Sequence, residues 1–491
     1  MSEIEIHPNL IAYFALLIWP VLTIYLYSLF PVGQATLWAI LGGYLLLPVG
    51  TQIKFPMVPA LDKNSIPSIA ALIGCALYAG GLPKFFRGFR FVELLILTIP
   101  VGCFATSMFN SDPIQIGEVF LPGVGAYDAG SATIAEFIFI LPFFIARQFL
   151  RDAEHNAEIL RTLAIAGLVY SLPMLFEIRL SPQLHTWIYG YFPHAFSQQI
   201  RYGGFRPVVF VGHGLLVAFF AMTATVAAAA CWRTRTRIWR LVPSGITAYL
   251  GFIVLLCKTG SALLYTAVLV PLVRLASPRW QIRVACVLTV IALTYPMLRV
   301  TNVFPTELLL QASAAVNTDR EESLKTRFDN EDQLLNHAWK RVWFGWGRFG
   351  RNRVFDVESG RDVSITDGFW IITLGMFGLV GFVARFGLLG IAVFRAAGAL
   401  KYAQSMREKE YLAALSLIVA INIVDLLPNS TISPWTWLLV GALLGRAEAL
   451  RAAGRQRIPL RNARLASMRI QRNHRVDRPA QIVKRSLNES G

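Results

Sequence analysis

An all-α polytopic membrane protein of about twelve transmembrane helices is the fold class this sequence predicts, on three observations. Only 15% of the 491 residues are charged and 55% are apolar, whereas a soluble chain carries about 25% charged residues. Apolar runs of roughly 20 residues recur along the chain, the length that crosses a hydrocarbon layer about 30 Å thick. Alternating segments of strand length are absent, which argues against an outer-membrane barrel.

Thirteen runs can be marked, at 11–30, 36–50, 66–81, 91–109, 131–150, 159–178, 207–231, 240–257, 259–276, 281–299, 367–396, 411–428 and 433–449. Basic residues orient them, because short loops rich in Lys and Arg stay in the cytoplasm. Lys84, Arg87 and Arg90 share one loop, and Arg147, Arg151 and Arg161 flank another. Arg233, Arg235, Arg237 and Arg240 fill a third, Arg274, Arg279 and Arg283 a fourth, and Lys401, Arg407 and Lys409 a fifth. If crossings alternate, all five fall on one side, and the acidic loop with Asp112, Glu118 and Asp128 falls on the other, together with Asn429-Ser430-Thr431. Thirteen crossings would place Met1 outside. The 36–50 and 66–81 runs are short for a span, so about twelve spans with both ends inside is the expected arrangement.

The start, Met1-Ser2-Glu3-Ile4-Glu5, has no basic n-region, so the first run is expected to stay in the protein. Cys75, Cys103, Cys231, Cys257 and Cys286 all lie in or beside apolar runs, which implies neither a disulfide framework nor a zinc site. Of the net charge of +17, the stretch from Arg446 to Gly491 supplies eleven Arg and one Lys against three acids, or +9. A basic tail after a last apolar helix is what positive-inside orientation produces, and anionic headgroups attract it. Nucleic acid is therefore not an expected partner. The expected division is a transmembrane domain over 1–450, a cap loop over 300–366 inserted within it, and a disordered basic tail over 451–491.

The 300–366 segment is the one long hydrophilic stretch inside the membrane domain, with acidic and basic residues nearly balanced. Glu321–Trp346 has helical composition, with Leu324, Phe328, Leu334, Leu335, Ala338 and Trp343 as apolar contacts. Trp339, Trp343, Phe344, Trp346 and Phe349 crowd its second half, which points to a small folded cap.

Ionisable residues inside or at the ends of apolar spans are functional candidates, since the bilayer makes them costly. They are Glu136, Glu177, Arg179, Arg201, Arg206, His213, Lys258 and Asp425. Structural pairing is the competing reading, above all for Glu177 with Arg179, while Asp425 stays open between the two. His213 reads as a packing residue, because no second His lies at metal-ligand spacing. In Gln198-Gln199-Ile200-Arg201-Tyr202-Gly203-Gly204-Phe205-Arg206-Pro207 two guanidinium groups flank a Gly-Gly break where a loop enters a helix. Each is a planar fork suited to phosphate oxygens. Pro207 suits a first helical turn, whose N-terminus would itself favour an anion. Snorkelling to headgroups is the alternative. Lys258-Thr259-Gly260-Ser261 makes a second cationic turn on the same face. Together they suggest a basic outward site for an anionic membrane substrate such as a lipid diphosphate. Gly345-Trp346-Gly347-Arg348-Phe349-Gly350 matches a dinucleotide fingerprint in letters alone, without the strand and helix that give it meaning. The sequence holds no H-E-x-x-H, P-loop, G-x-S-x-G or D-x-D, so a metal-bound nucleotide sugar is not the expected donor.

These residues resemble the O-antigen ligase/O-antigen polymerase superfamily, including exopolysaccharide polymerases, over roughly 90–450. The likeness rests on Arg201…Arg206-Pro207, on Lys258-Thr259-Gly260-Ser261 and on the loop with Arg327…His337…Trp343-Phe344-Gly345-Trp346-Gly347. It also rests on Thr366-Asp367-Gly368-Phe369-Trp370 followed by Leu374…Gly378…Gly381. The resemblance implies a helical, GT-C-like glycosyltransferase fold in the bacterial inner membrane, with its site facing the periplasm. Its donor would be an undecaprenyl-diphosphate-linked oligosaccharide, used without metal or other cofactor, amid membrane lipid and polysaccharide-assembly proteins. Arg201, Arg206, Lys258, Arg327 and Arg341 would hold the diphosphate, Arg206 acting in catalysis as well. Lys258 stands where ligases have an Arg. Asp367 stands where ligases show a His, which favours the polymerase over the ligase, and His337 is the other candidate base. A flippase of the same lipid, or a scaffold acting through the basic tail, are readings of other classes.

Overall fold

The computed structural model describes residues 7–55, 59–87, 90–201, 203–315 and 318–476. The first half of the bundle is built from α1 (Leu10–Leu29), α2 (Val32–Leu46), α3 (Ser65–Tyr78), α4 (Phe91–Met108), α5 (Ala126–Phe149) and α6 (Ala153–Leu180). A short α7 (Leu184–Tyr189) leads to α8 (Gly214–Thr234), α9 (Pro243–Leu256), α10 (Gly260–Leu275) and α11 (Pro278–Val300). Then come α12 (Thr306–Ala314), α13 (Thr318–Trp339), α14 (Phe369–Ala399), α15 (Met406–Asp425) and α16 (Pro434–Val476). Strand structure among the described residues is confined to two hairpins, β1 (Ile114–Ile116) with β2 (Val119–Leu121) and β3 (Ile200–Arg201) with β4 (Gly204–Phe205).

Every apolar run read from the sequence falls on a helix. Among the described residues, seven helices are long and apolar enough to cross a membrane: α1, α4, α5, α6, α8, α11 and the stretch Phe369–Tyr402 that begins with α14. The shorter apolar helices α2, α3, α9 and α10 pack among them. The chain is a multi-pass, all-α membrane protein.

The helices alternate between two poles. At one, the basic loops meet: Arg233 bonds the Arg274 carbonyl at 2.8 Å and the Glu410 carboxylate at 2.9 Å. Arg446 reaches the Arg151 carbonyl at 3.3 Å and also pairs with Glu408. The loops 109–125, 181–213 and 300–366 gather at the opposite pole. Asn9 belongs to that loop pole, since its amide donates to the Ile188 carbonyl and its N–H to that of Tyr189. Within the described residues α1 starts at the loop pole and α16 runs out at the basic one. The short helices α2 and α3 pack against α1 and each other. Beyond Arg446 the basic segment continues as helix to Val476, and the remainder of the expected disordered tail, 477–491, lies outside the described residues.

Close packing and one ion-pair cluster hold the basic pole. Gly441 and Gly445 let α16 press on α5, where a Cβ would come within 2.2 Å of the Phe143 carbonyl and 2.4 Å of the Arg147 carbonyl. Small residues four apart allow this approach in membrane helix pairs. Beside it Arg147 and Glu93, each 1% exposed, pair at 2.8 Å, and Glu448 of α16 reaches Arg147 at 2.6 Å. Each buried charge is thus matched, as the low dielectric demands.

One helix is broken. At Gly378 α14 turns to φ 65° and ψ −166°, a conformation open only to glycine. The segment 342–347 lies in the break and completes its hydrogen bonds. Trp346 and Gly347 donate N–H to the carbonyls of Gly375 and Met376 at 2.8 and 2.9 Å. Val342 and Trp343 offer carbonyls to the N–H groups of Leu379 and Val380 at 2.7 and 3.2 Å. Gly345, also at φ 67°, passes so close that a Cβ would meet the Gly378 nitrogen at 2.6 Å. That backbone contact is the physical reason for a glycine at 345.

Candidate functional site

The site loop is set by one carboxylate. Glu177, fully buried at the end of α6, accepts the N–H groups of Leu184 at 3.0 Å and of Val208 and Val209 at 2.7 Å each. It thereby clamps both ends of the 181–213 loop, and Arg179, exposed, plays no part. Tyr170 adds a second tie, accepting the Phe210 N–H at 3.1 Å and donating to the Leu45 carbonyl at 2.9 Å. These bonds divert the chain, so α8 begins at Gly214 and not at Pro207. The helix N-terminus expected beside Arg206 is therefore seven residues further on, capped by His213.

Arg206 and Arg201 stand instead on the β3–β4 hairpin and its exit. Arg206 donates through Nε and Nη2 to the Lys258 carbonyl at 3.4 and 3.2 Å. Lys258 holds the α9–α10 turn at φ 52° and returns its ammonium to the Arg201 carbonyl at 3.2 Å. Gly204 leaves room for it, as a Cβ there would lie 2.2 Å from Lys258 Nζ. The Arg201 side chain is exposed.

His213 takes the Leu215 N–H on Nδ1 at 3.1 Å, so Nε2 carries the proton and faces Gln198 Oε1 at 3.4 Å. The His194 ring packs edge-on at 4.6 Å, with its own Nδ1 accepting the Ala195 N–H at 2.8 Å. Burial, then His194, Arg206 and Arg327, push the His213 ring down to about 4, so it is neutral at pH 7. Arg327 in turn pairs with Asp367 at 3.6 Å, both side chains partly exposed. Asp367 is seated by the start of α14, where Phe369 N–H bonds the carbonyls of Leu426 at 3.0 Å and Asn429 at 2.9 Å. Gly368 permits this, since a Cβ would strike the Leu427 carbonyl at 2.3 Å. Asp425, buried, ends α15 immediately beneath.

Arg201, Arg206, Lys258, Arg327 and Asp367 are thus gathered at one pole from four separate stretches of chain. His337 and Arg341 are not with them. His337 stacks on Trp346 at 4.3 Å and its Nε2 donates to the Arg351 carbonyl at 3.0 Å, burial lowering its basicity. Arg341 covers the other side of that indole at 4.3 Å and bonds the Phe109 carbonyl at 3.0 Å, the Asn110 amide oxygen, and Asp112 at 3.2 Å. Its guanidinium holds the Asp112 carboxyl below the usual carboxylate range. Arg351, 1% exposed, bonds the carbonyls of Trp346, Asp112 and Pro122 and completes a knot between 337–351 and 109–122. Glu136 is likewise engaged, in a two-pronged pair with Arg385 at 2.6 and 3.0 Å.

On α13, Phe328, Leu334, Leu335 and Ala338 are buried as their spacing indicates, but Trp343 is 63% exposed because the helix ends at Trp339. Sequence reasoning passed over His194 and the buried Gln199, which accepts the Gly214 N–H at 3.2 Å and shapes the same loop. Neither stands in a recognisable motif. Among the described residues no three His, Cys, Asp or Glu side chains gather to hold a metal ion.

The fold and this pole define a multi-pass helical membrane protein with a cationic, carboxylate-bearing site assembled from loops. Compared with known proteins, the chain matches no family model and no curated sequence.

Proposed function

We propose that the chain is a metal-independent membrane glycosyltransferase acting on undecaprenyl-diphosphate-linked saccharide at the periplasmic face of a bacterial inner membrane. The reaction is polymerisation of surface polysaccharide in preference to ligation onto a final acceptor. The observation that carries this reading is that one pole holds both the Arg206–Lys258 cation pair and the Arg327–Asp367 pair. In this reading the loop pole faces the periplasm and 300–366 is a cap over the site.

The chemistry is displacement at an anomeric carbon. The acceptor hydroxyl oxygen forms the new C–O bond, its proton passes to Asp367, and the bond to the diphosphate breaks with the electron pair leaving on phosphate oxygen. Charge gathers on that leaving group, where fixed cations stabilise it without solvent reorganisation, at about 3–4 kcal/mol for one such contact. Arg206 and Lys258 supply those cations, together with the exposed Arg201. Arg327 orients Asp367.

The test is analysis of lipid-linked and polymeric saccharide in a deletion strain complemented with Arg206→Ala or Asp367→Ala. Single repeat units accumulating on lipid, with long chains lost at unchanged protein level, support the polymerase. Long chains retained on the lipid carrier but missing from their final acceptor mean a ligase. Full activity in both variants sinks the site assignment. The break in α14 favours one second reading, a transporter of the same lipid, since transporters use interrupted helices. Saccharide trapped on the inner leaflet would establish it.

A further inference from the structure

At the basic pole, the length of α6 away from the site, a cavity of about 570 Å³ is lined by Lys84, Phe86, Arg87, Gln148 and Arg151. That volume lies within the range of ligand clefts, roughly 300–1,000 Å³. We propose that this cavity binds the phosphate group of an anionic phospholipid, held by Lys84, Arg87 and Arg151.

The charge balance points to an anion. Four cations meet here, Lys84, Arg87, Arg147 and Arg151, and the buried Glu93 and partly buried Glu448 are both taken by Arg147. Arg87 shares Glu448 only loosely, at 3.4 Å, and its other contacts, to the Arg147 carbonyl and Gln148 Oε1, are 3.4 and 3.5 Å. Such distances are at the long limit of a hydrogen bond, so the fork is free to turn to a better acceptor. Among the described residues neither Lys84 nor Arg151 has a carboxylate partner, and both are exposed. Gln148 fixes the geometry by accepting the Lys84 N–H at 2.8 Å. An arginine fork and a lysine ammonium around an open volume make a phosphate site.

The surroundings select a lipid over a free ion. Phe86, which lines the cavity, is 48% exposed, and Leu82 and Phe91, near it in the chain between α3 and the start of α4, are exposed by 57 and 55%. Acyl chains would lie on these side chains with the phosphate turned inward. This holds whatever reaction the opposite pole carries out.

The experiment uses the full chain in phosphatidylcholine discs with and without phosphatidylglycerol, scoring retained lipid by native mass spectrometry. The wild type is expected to retain phosphatidylglycerol over phosphatidylcholine. The double variant Lys84→Gln/Arg151→Gln, which touches only exposed side chains, is expected to retain it roughly thirty-fold less well, or about 2 kcal/mol. Arg407→Gln, elsewhere on the same pole, should change nothing. Equal retention by the double variant overturns the proposal. Inorganic phosphate that protects the wild type in phosphatidylcholine discs, with no preference for phosphatidylglycerol, overturns the lipid assignment.

Discussion

Replacing Gly378 by Ala tests the account of the broken helix. The new Cβ would stand 2.3 Å from the Trp343 carbonyl carbon, an atom of the backbone that no side-chain rotation can remove. Holding a non-glycine residue at φ 65° and ψ −166° costs about 1–3 kcal/mol before any clash is counted. If the 342–347 segment moves away, the bonds to Gly375, Met376, Leu379 and Val380 open. Each buried group left without a partner then costs about 1–3 kcal/mol, so even two failures bring the total to about 3 kcal/mol or more. Gly130→Ala is the matched control, since nothing lies within 4 Å of its Cβ on α5. There the substitution is expected to add roughly 0.5–1 kcal/mol of stability. The assay is equilibrium unfolding of the purified chain in mixed SDS and mild detergent, followed by tryptophan fluorescence. A Gly378→Ala midpoint equal to wild type would refute the reasoning, and so would a Gly130→Ala loss as large as that of Gly378→Ala.

Other expected outcomes follow from the site. Glu177→Gln puts an amide donor among three N–H groups and should cost about 2–3 kcal/mol, with the 181–213 loop becoming protease-sensitive. Unchanged proteolysis would count against the clamp. The Arg327–Asp367 pair is partly exposed at 3.6 Å, so Arg327→Gln should alter stability by less than about 1 kcal/mol while lowering transfer. Loss of folding in that variant would show a structural role instead. Arg206→Ala should reduce turnover roughly 10²–10³-fold, measured on lipid-linked donor in vitro. His213 stays neutral in the fold down to about 4, whereas unfolded His titrates near its ordinary 6.5. Its contribution is therefore complete above that ordinary value and lost as pH falls between the two. His213→Asn, which keeps a helix cap, should flatten the stability–pH curve across that window, and an unaltered curve would contradict the assignment.

Much of the fold was legible because bilayer thickness writes itself into run length. All thirteen apolar runs proved helical. The start of α8 was misplaced because Pro207 resembles a helix entry only locally, and the Glu177 clamp that redirects the chain comes from an earlier helix. In the site, Arg201, Arg206 and Lys258 were readable from charge beside helix ends, and the structure joins them through backbone carbonyls. Arg341 and His337 carry the same letters, yet they are occupied by Trp346, Arg351 and Asp112, contacts that no linear pattern announces. The glycines at 345 and 378 have meaning only as a pair across space.

The joint between α5 and α16 has a consequence for how the protein is made. Glu93 and Arg147 leave the ribosome early and can meet as soon as α4 and α5 are in the bilayer. Glu448 arrives only with the last helix, and with it the two glycines that seat against the Phe143 and Arg147 carbonyls. Until then one flank of α5 has no neighbour and Arg147 has only one of its two carboxylates. A chain stopped before Pro434 would hold an arginine half-matched in lipid, a defect that membrane quality control can recognise. The joint between α5 and α16 therefore closes only once α16 is in place.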